Sequence, residues 1–246
     1  MLALRVGLAI GALLLCLPGH LLAKAAGRHP SPWIRRFLAL LSDIFGLDVQ
    51  VVGTPLARDV LFVANHQSWL DIVAIGGATG SAFVSKDDIA GWPLIGWLAR
   101  EGGVVFVSRT DRAGVIDQAR AIGALLGKGR AVSLFAEGTT NDGTELLPFR
   151  PALLSAAGHA GPAVRIQPLA IDFGTRSASI AWHGEEDIGA NARRVLGAPG
   201  RMAVRLLFLE PIDPHVHDRK AVAALAYARI AAALPDRRAL PYSAAP

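Results

Sequence analysis

The sequence predicts an α/β fold in which a mixed, partly parallel sheet is flanked by helices and preceded by two N-terminal helices. Two observations support this prediction. From residue 49 onward, short apolar runs with β-branched residues alternate with segments of helical periodicity, as in a sheet that helices cover. The residues before that point are instead apolar and basic.

The first apolar stretch covers residues 2–22, in which Arg5 and His20 are the exceptions. The dipeptide Pro18-Gly19 interrupts it, and the part before that break is shorter than the about 20 residues that a membrane span needs. A cleaved signal peptide is a rival interpretation, because the basic residue, the leucine-rich run and the sequence at 23–25 resemble its three parts.

A second, amphipathic stretch favours a membrane anchor. Apolar residues recur at helical spacing between Trp33 and Phe45, with Arg35 and Arg36 beside them. We therefore expect residues 1–48 to form two helices that dip into one leaflet, or a single N-terminal span. The alternative for the second helix is an ordinary core helix.

Composition and charge agree with a protein at an anionic membrane surface. Hydrophobic residues make up 52% of the chain and charged residues only 18%, below the roughly 25% of ordinary globular chains. The net charge of +5 equals the basic residues that precede Asp43. Nucleic acid is not an expected partner, because no basic stripe with interleaved aromatic residues follows. The single cysteine, Cys16, excludes an intramolecular disulfide, and no metal-binding spacing is present.

The remaining chain is predicted to be one domain over residues 49–240, with a frayed tail at 241–246. The apolar runs predict strands at 60–64, 81–85, 103–108, 131–136, 164–171, 178–183 and 201–209. The helical patterns predict helices at 68–78, 93–100, 112–127, 150–159, 187–196 and 215–233.

The most informative segment, Asn65 to Asp71, joins the first of these strands to the helix after it. Ser68 is a plausible N-cap, which would place Asp71 in the first turn of the helix. A bend would then fold the carboxylate back onto one ring nitrogen of His66. The other nitrogen would be free to take a proton from a substrate hydroxyl. The alternative is a strand-end histidine that is merely bonded to a nearby aspartate.

Three further polar positions follow predicted strands, where α/β sheets gather their sites. Arg109 could bind a phosphate or carboxylate with two hydrogen bonds, or pair with Asp111. Lys86 could supply a second cation or be an ordinary exposed lysine. Glu137 precedes a glycine-bearing turn and could bind a hydroxyl or pair with Arg109. A proline inside a later strand, Pro168, indicates an edge, a bulge or a wall that meets ligand.

These segments occur in a recognisable order. Asn-His-x4-Asp at 65–71, Gly-x-x-Phe-x-x-Arg at 103–109, Glu-Gly-Thr at 137–139 and the proline-containing strand at 166–170 resemble the glycerolipid acyltransferase family. The bacterial 1-acylglycerol-3-phosphate acyltransferases are the nearest likeness. In that family two N-terminal helices form a monotopic membrane anchor, which agrees with the interpretation of residues 1–48.

The resemblance implies an enzyme that moves a fatty acyl group from acyl-CoA or acyl carrier protein to the free hydroxyl of 1-acyl-sn-glycerol-3-phosphate, giving phosphatidate. His66 would be the general base and Asp71 would orient it, with no cofactor besides the acyl thioester co-substrate. Because such thioesters are made in the cytosol, we expect the protein on the cytoplasmic face of the inner membrane. The resemblance also implies substrate-binding roles: Lys86 and Arg109 at the phosphate, Glu137, Gly138 and Thr139 at the glycerol region, and Pro168 near the acyl donor.

One departure from the family pattern opens alternatives. The third motif usually reads Phe-Pro-Glu-Gly-Thr-Arg, whereas Ala136 and Thr140 stand here in place of the proline and the final arginine. Arg150 is a candidate to replace the lost charge. The variant, together with the sequence at 181–184, also resembles relatives that acylate lyso-ornithine lipid, an acceptor without phosphate. Hydrolysis of a lipid or thioester and a non-enzymatic lipid carrier or scaffold are the remaining alternatives.

Overall fold

The computed structural model describes residues 1–107, 115–234 and 238–239. Within them the helices are α1 Leu2–Ala25, α2 Pro32–Phe45, α3 Leu70–Thr79, α4 Pro93–Glu101, α5 Val115–Leu126, α6 Ser155–His159, α7 Ser177–Ile180, α8 Ile188–Gly197 and α9 Arg219–Ala233. The strands are β1 Leu47–Val52, β2 Val60–Ala64, β3 Ala82–Lys86, β4 Val105–Val107, β5 Ala131–Phe135, β6 Glu145–Leu146, β7 Arg165–Asp172, β8 Met202–Phe208 and β9 Arg238–Ala239.

Seven strands form one sheet in the order β1-β8-β7-β2-β5-β3-β4. Every neighbouring pair in it is parallel except β7 and β8, which are antiparallel. All five residues of β2 and all five of β5 are buried, as expected of parallel strands with helices on both faces. The predicted mixed, mostly parallel α/β sheet is therefore confirmed.

Apolar side chains cover both faces of this sheet. On one face, Ile122 and Leu126 of α5 pack with Ile230 of α9. On the other, Leu70 and Ile75 of α3 pack with residues of α2 and α8. The helices thereby fix the central strands from both sides, and the carboxyl ends of β2 and β5 share one edge of the sheet.

One predicted strand was wrong, one strand of the seven-stranded sheet was missed, and one helix begins later than predicted. Residues 178–183 do not form a strand, because both edges of the neighbouring β7 are already paired with β2 and β8. Residues 177–180 form the short helix α7 instead. The strand β1 was missed, because only Leu47 of its six residues is buried and the apolar signal is weak. The helix predicted at 150–159 begins only at Ser155, after a 3₁₀ turn.

The N-terminal helix α1 continues through Pro18, where the sequence predicted a break. The ring of Trp33 in α2 packs directly against Gly19, where a Cβ atom would collide with it. We attribute the continuity of α1 to this close packing of the two helices. By length and composition α1 could cross a membrane, and Leu4, Leu15 and Leu22 on its surface are exposed.

Polar contacts attach both ends of α1 to the rest of the protein. Near its start, the buried guanidinium of Arg5 donates hydrogen bonds to the carbonyl oxygens of Leu196, Ala198 and Gly200, at 3.1, 3.0 and 2.9 Å. Near its end, His20 and Lys24 contact Glu101 of α4. In this fold α1 is thus attached to the rest of the structure near both ends, and part of its leucine-rich surface is exposed.

Candidate active site

The loop after β2 is held rigidly against β7. The side chain of Asn65, fully buried, donates to the carbonyl oxygen of Ile171 and accepts from its N–H, at 3.0 and 2.8 Å. Gln67 donates to the same carbonyl at 3.2 Å. These bonds span about a hundred residues of sequence and fix the backbone on both sides of His66.

His66 and Asp71 form the predicted pair. Nδ1 of His66 lies 2.8 Å from Oδ2 of Asp71, whose side chain is completely buried. The same oxygen accepts hydrogen bonds from the backbone N–H groups of Gln67 and Ser68, at 2.8 and 3.0 Å. An ionised carboxylate can only accept hydrogen bonds, so in this contact Nδ1 of His66 must carry the proton and donate it. In the neutral ring the lone pair is then on Nε2.

The imidazole ring is also fixed from the side. It stacks on Phe135 with ring centroids 3.8 Å apart and planes 11° from parallel. Its side chain is 17% exposed, and the exposed part faces the cavity described below. The geometry therefore presents Nε2 as a proton acceptor in one orientation.

The expected N-cap was only partly right. Helix α3 begins at Leu70 after Trp69, which makes no side-chain cap bond. The hydroxyl of Ser68 accepts from the N–H of Leu70 at a long 3.4 Å. Asp71 does lie in the first turn, but its carboxylate turns back to the loop amides that precede the helix.

Glu137 is held by backbone N–H groups, and its expected contact with the acceptor stays a prediction. Its side chain is 2% exposed. Oε2 accepts from the backbone N–H of His66 at 3.1 Å, and Oε1 accepts from the N–H of Leu147 at 3.2 Å. Through these two backbone hydrogen bonds the carboxylate joins the ends of β2 and β5 to a later loop.

Next to the turn that follows Glu137, the guanidinium side chain of Arg150 lies at the cavity. Gly138 has a φ of +71°, and a Cβ atom there would lie 3.1 Å from Cδ of Arg150, so glycine lets this side chain lie over the turn. Both residues line the cavity, whereas Thr139 is exposed and does not. The N–H of Gly138 donates to the carbonyl of Phe135 at 3.1 Å, so this N–H is not free to stabilise an oxyanion.

The other predicted site residues are placed as follows. Lys86 is the last residue of β3, and its backbone pairs with Val107 at the end of β4. Arg109, two residues further, lies outside the described residues.

Pro168 lies at a bulge inside the sheet. Leu169 of β7 pairs with Phe208, whereas Ile166 pairs with Ile212, so two residues between them face three on the other segment. Proline is tolerated there because no ladder bond to its missing N–H is required. It is buried and is not among the residues that line the cavity, and its expected role near the acyl donor stays a prediction.

A cavity of about 700 Å³ opens beside His66. Its walls are mainly apolar and come from α1, α2, α4 and the ends of β3 and β5. Four residues of α1 line the cavity, and their helical spacing places them on one face of the helix: Leu13, Cys16, Leu17 and His20. The size lies within the range of small-molecule sites, and the shape suits an apolar ligand with a polar end near His66.

Sequence reasoning missed several residues around this cavity. His20 and Glu101 lie on its wall, and the only signal for the first was a polar residue within an apolar run. Nε1 of Trp69 donates to the buried Asn191 at 2.9 Å, which ties the loop after β2 to α8. Trp182, in the segment 181–184 that the sequence analysis did single out, also lines the cavity, and its backbone N–H donates to the carbonyl of Gln67 at 2.9 Å. Within the described ranges, no cluster of metal-ligating side chains is found.

Comparison with known proteins agrees with this geometry. Residues 48–172, about half of the chain, match the family described as Acyltransferase. The chain is 34% identical to the lyso-ornithine lipid O-acyltransferase of Pseudomonas aeruginosa over 222 residues, 89% of this chain and 83% of that protein. It therefore belongs to the acyltransferase family, of the lysophospholipid type found in bacteria.

Two further similarities bear on the acceptor. The chain is 38% identical to the 1-acyl-sn-glycerol-3-phosphate acyltransferase of Neisseria gonorrhoeae over 126 residues, 51% of this chain and 49% of that protein. The crystal structure of the 1-acyl-sn-glycerophosphate acyltransferase PlsC from Thermotoga maritima superposes with a TM-score of 0.64 at 25% identity. That match covers 82% of this chain and 77% of the other.

Proposed function

We propose that this protein transfers a fatty acyl group from an acyl thioester to the free hydroxyl of a membrane lyso-lipid, with His66 as the general base. The observation that carries the proposal is the bond between His66 Nδ1 and the buried Asp71, with Nε2 facing an apolar cavity of about 700 Å³. A base that opens on an apolar cavity suits a reaction between a hydroxyl and a fatty acyl group.

The reaction follows from the protonation state of the pair. Nε2 of His66 removes the proton of the acceptor hydroxyl while the oxygen attacks the thioester carbonyl. The imidazolium that forms is stabilised by the negative charge of Asp71. The tetrahedral intermediate then expels the thiolate, which receives the proton from Nε2, and the ester is complete. General base catalysis of this kind contributes about 10²- to 10⁴-fold to a rate.

Arg150 is a candidate to bind an anionic group of the acceptor. It lines the cavity beside Gly138, and within the described part of the chain its guanidinium has no hydrogen bond or ion pair. A guanidinium binds phosphate and carboxylate equally well by geometry, so Arg150 is compatible with either acceptor. Glu137 supports catalysis indirectly in this proposal, by holding the backbone of His66.

For the acceptor we favour lyso-ornithine lipid. The relative that bears this name matches along 89% of the chain, whereas the gonococcal glycerophosphate enzyme matches along 51%. Thr140 stands where the phosphate-binding family usually has an arginine, and the segment at Trp182 is bonded to the loop beside the base. The second candidate is 1-acyl-sn-glycerol-3-phosphate, supported by the cations Lys86, Arg109 and Arg150 and by the Thermotoga structure.

The test offers both acceptors side by side to purified, detergent-solubilised protein with an acyl thioester. Acylated ornithine lipid as the main product would support the favoured acceptor, and phosphatidate as the main product would support the second. Free fatty acid without an acylated lipid would contradict the proposal of acyl transfer. Arg193→Ala, a change at an exposed arginine that does not line the cavity, is the matched control for Arg150→Ala in the same assay.

We further propose that residues 1–48 are the membrane-anchoring unit and 49–240 the catalytic domain, at the cytoplasmic face of the inner membrane. The exposed leucines of α1 and the basic residues Arg28, Arg35 and Arg36 support this, because they combine apolar and cationic surface. Flotation with anionic vesicles tests it. Binding that is unchanged when Leu15 and Leu22 are both replaced by serine would contradict the anchoring role of α1.

A further inference from the structure

The buried side chain of Asn191 connects two parts of the cavity wall. Asn191 lies in α8 and is completely buried. Its Oδ1 accepts the indole N–H of Trp69 at 2.9 Å. Its Nδ2 donates to the carbonyl oxygen of Ala181 at 3.0 Å and to Oε2 of Glu186 at 2.8 Å. One amide group therefore holds the loop after β2 and the segment at 181–186 together.

The ring of Trp69 is held by two contacts. Its N–H is bound to Asn191, and its ring meets that of Phe45 edge to face, with centroids 5.6 Å apart and planes 80° from parallel. A hydrogen bond is more directional than a contact between two apolar rings, so the bond to Asn191 defines how the indole is oriented. Trp69 lines the same cavity as His66, three residues before it in the chain.

Trp182 is placed through the same amide. It follows Ala181, whose carbonyl oxygen is bound to Asn191, and its own indole N–H donates to the carbonyl oxygen of Glu186 at 2.7 Å. Its backbone N–H donates to the carbonyl oxygen of Gln67. Since Trp182 also lines the cavity, two indoles of the wall depend on one buried amide for their relative placement.

The bonds that orient the base are separate from this connection. Nδ1 of His66 is held by Asp71, and the backbone N–H of His66 is held by Glu137. Neither contact involves α8. Asn191 therefore acts on the wall of the cavity, while the imidazole has supports of its own.

On this basis, which rests on the proposed function, we propose that Asn191 is a positioning residue for acyl transfer. It acts through Trp69 and Trp182, which hold the substrate beside Nε2 of His66. A substrate displaced by about 1 Å can react about 100-fold more slowly. Loss of the amide should therefore lower kcat more than it raises KM, since the apolar area that binds the lipid remains.

Asn191→Leu tests the proposal, because it keeps the branched shape and removes every polar atom. Purified full-length protein receives palmitoyl-CoA and whichever of the two lyso-lipids the wild type acylates. We expect kcat per folded protein to fall about 10- to 100-fold, with KM for the acceptor changed by less than about threefold. The pH dependence of kcat should keep its shape, because the contact between His66 and Asp71 is intact. Circular dichroism gives the concentration of folded protein.

Gln167 of β7 provides the matched control, since it is also a buried amide with three hydrogen bonds. It accepts from the N–H of Leu56 at 2.9 Å and donates to the carbonyl oxygens of Thr54 and Leu209, at 2.9 and 3.1 Å. It does not line the cavity. Gln167→Met should lose a similar amount of stability, yet its kcat per folded protein should stay within about twofold of the wild type.

A double-mutant cycle tests whether Asn191 acts through Trp69. Trp69→Phe removes the indole N–H and keeps an aromatic ring, so we expect its kcat to fall as well. The double variant should be no slower than the slower single variant, because both substitutions break the same bond. Losses that simply add would show that Asn191 does not act through Trp69.

The remaining outcomes also decide the question. A kcat of Asn191→Leu equal to that of Gln167→Met would overturn the inference, because the residue would then be merely structural. If Asn191→Leu does not fold, an unchanged kcat in Trp69→Phe would overturn it. A wild type that transfers no acyl group would instead contradict the proposed function, and the inference with it.

Discussion

Two histidine–carboxylate pairs line one cavity, and only one of them is built to act as a base. In the first, Asp71 is completely buried, accepts two backbone N–H groups and leaves Nε2 of His66 free. In the second, Glu101 has a side chain that is 20% exposed, and Nδ1 of His20 is buried without a hydrogen-bond partner among the described residues. Distances within the two pairs are nearly equal, 2.8 and 2.9 Å.

The difference lies in what else each carboxylate contacts. Lys24 neutralises Glu101, so little negative charge remains to stabilise an imidazolium at His20. In the described structure Asp71 has no lysine or arginine partner, and its charge is available to His66. A short contact between histidine and a carboxylate is therefore insufficient evidence for a base. The charge balance around the carboxylate decides whether the histidine can hold a proton during a reaction.

Removing the negative charge of each carboxylate in turn tests most sharply whether only the pair of His66 and Asp71 acts as a base. Asp71→Asn keeps an oxygen for the backbone N–H groups but loses the charge that stabilises the imidazolium. We expect acyl transfer to fall by about 10²- to 10³-fold, and by less than about tenfold in Glu101→Gln. Initial rates in detergent measure both, with the exposed Asp117→Asn as the control. Equal losses in the two variants would remove the distinction between the pairs.

Replacing Arg150, the cation on the cavity wall, tests whether the acceptor of the reaction at His66 carries an anionic group. In Arg150→Ala we expect KM for the acceptor to rise about tenfold, because one charge-assisted contact is lost, with kcat changed less. A variant whose kcat falls while KM stays the same would show that Arg150 acts on the reacting atoms and does not bind the headgroup.

The buried carboxylate behind His66 has a supporting role that can be measured as stability. Glu137→Gln replaces one accepting oxygen by an amide NH₂, so one of the N–H groups of His66 and Leu147 loses its partner. We expect the free energy of unfolding to fall by about 1–3 kcal/mol. Urea denaturation monitored by circular dichroism gives this value. Unchanged stability would mean that the two N–H groups find other partners.

A third carboxylate, that of Glu186, is partly exposed and does not line the cavity, and it should show the smallest effect. Hydrogen bonds from Arg194 first, and then from Asn191, lower the pKa of Glu186 from 4.5 to about 2. Because the folded pKa lies below the unfolded one, the stabilisation is present above pH 4.5 and is lost as the pH falls toward 2.

Thermal unfolding at two pH values measures this third effect. At pH 6 we expect Glu186→Gln to unfold about 1–3 °C below the wild type, since surface ion pairs contribute little. At pH 2.5 the difference should shrink. A difference that is constant with pH would show that the ion pair is not its cause.

The sequence predicted the first pair and not the second, for a physical reason. His66 and Asp71 lie five residues apart across a strand-to-helix junction, so local geometry alone brings them together. His20 and Glu101 are 81 residues apart and meet only because α1 packs along α4. Glu137 was recognised as a site residue, but which way its carboxylate points depends on the loop at Leu147, which local patterns do not reveal.

The same distinction holds for the fold. Buried runs such as β2 and β5 were predicted within a residue, because both faces are apolar. The strand expected at 178–183 was wrong because pairing depends on which sheet edges remain free. Sequence periodicity carries no information about that competition.

The most direct test is single-turnover acyl transfer to lyso-ornithine lipid by the wild type and His66→Ala, with the exposed His159→Ala as a matched control. The proposed role of His66 predicts a rate lowered at least about 100-fold in His66→Ala and near the wild-type rate in His159→Ala. Transfer by folded His66→Ala at a near wild-type rate would contradict it.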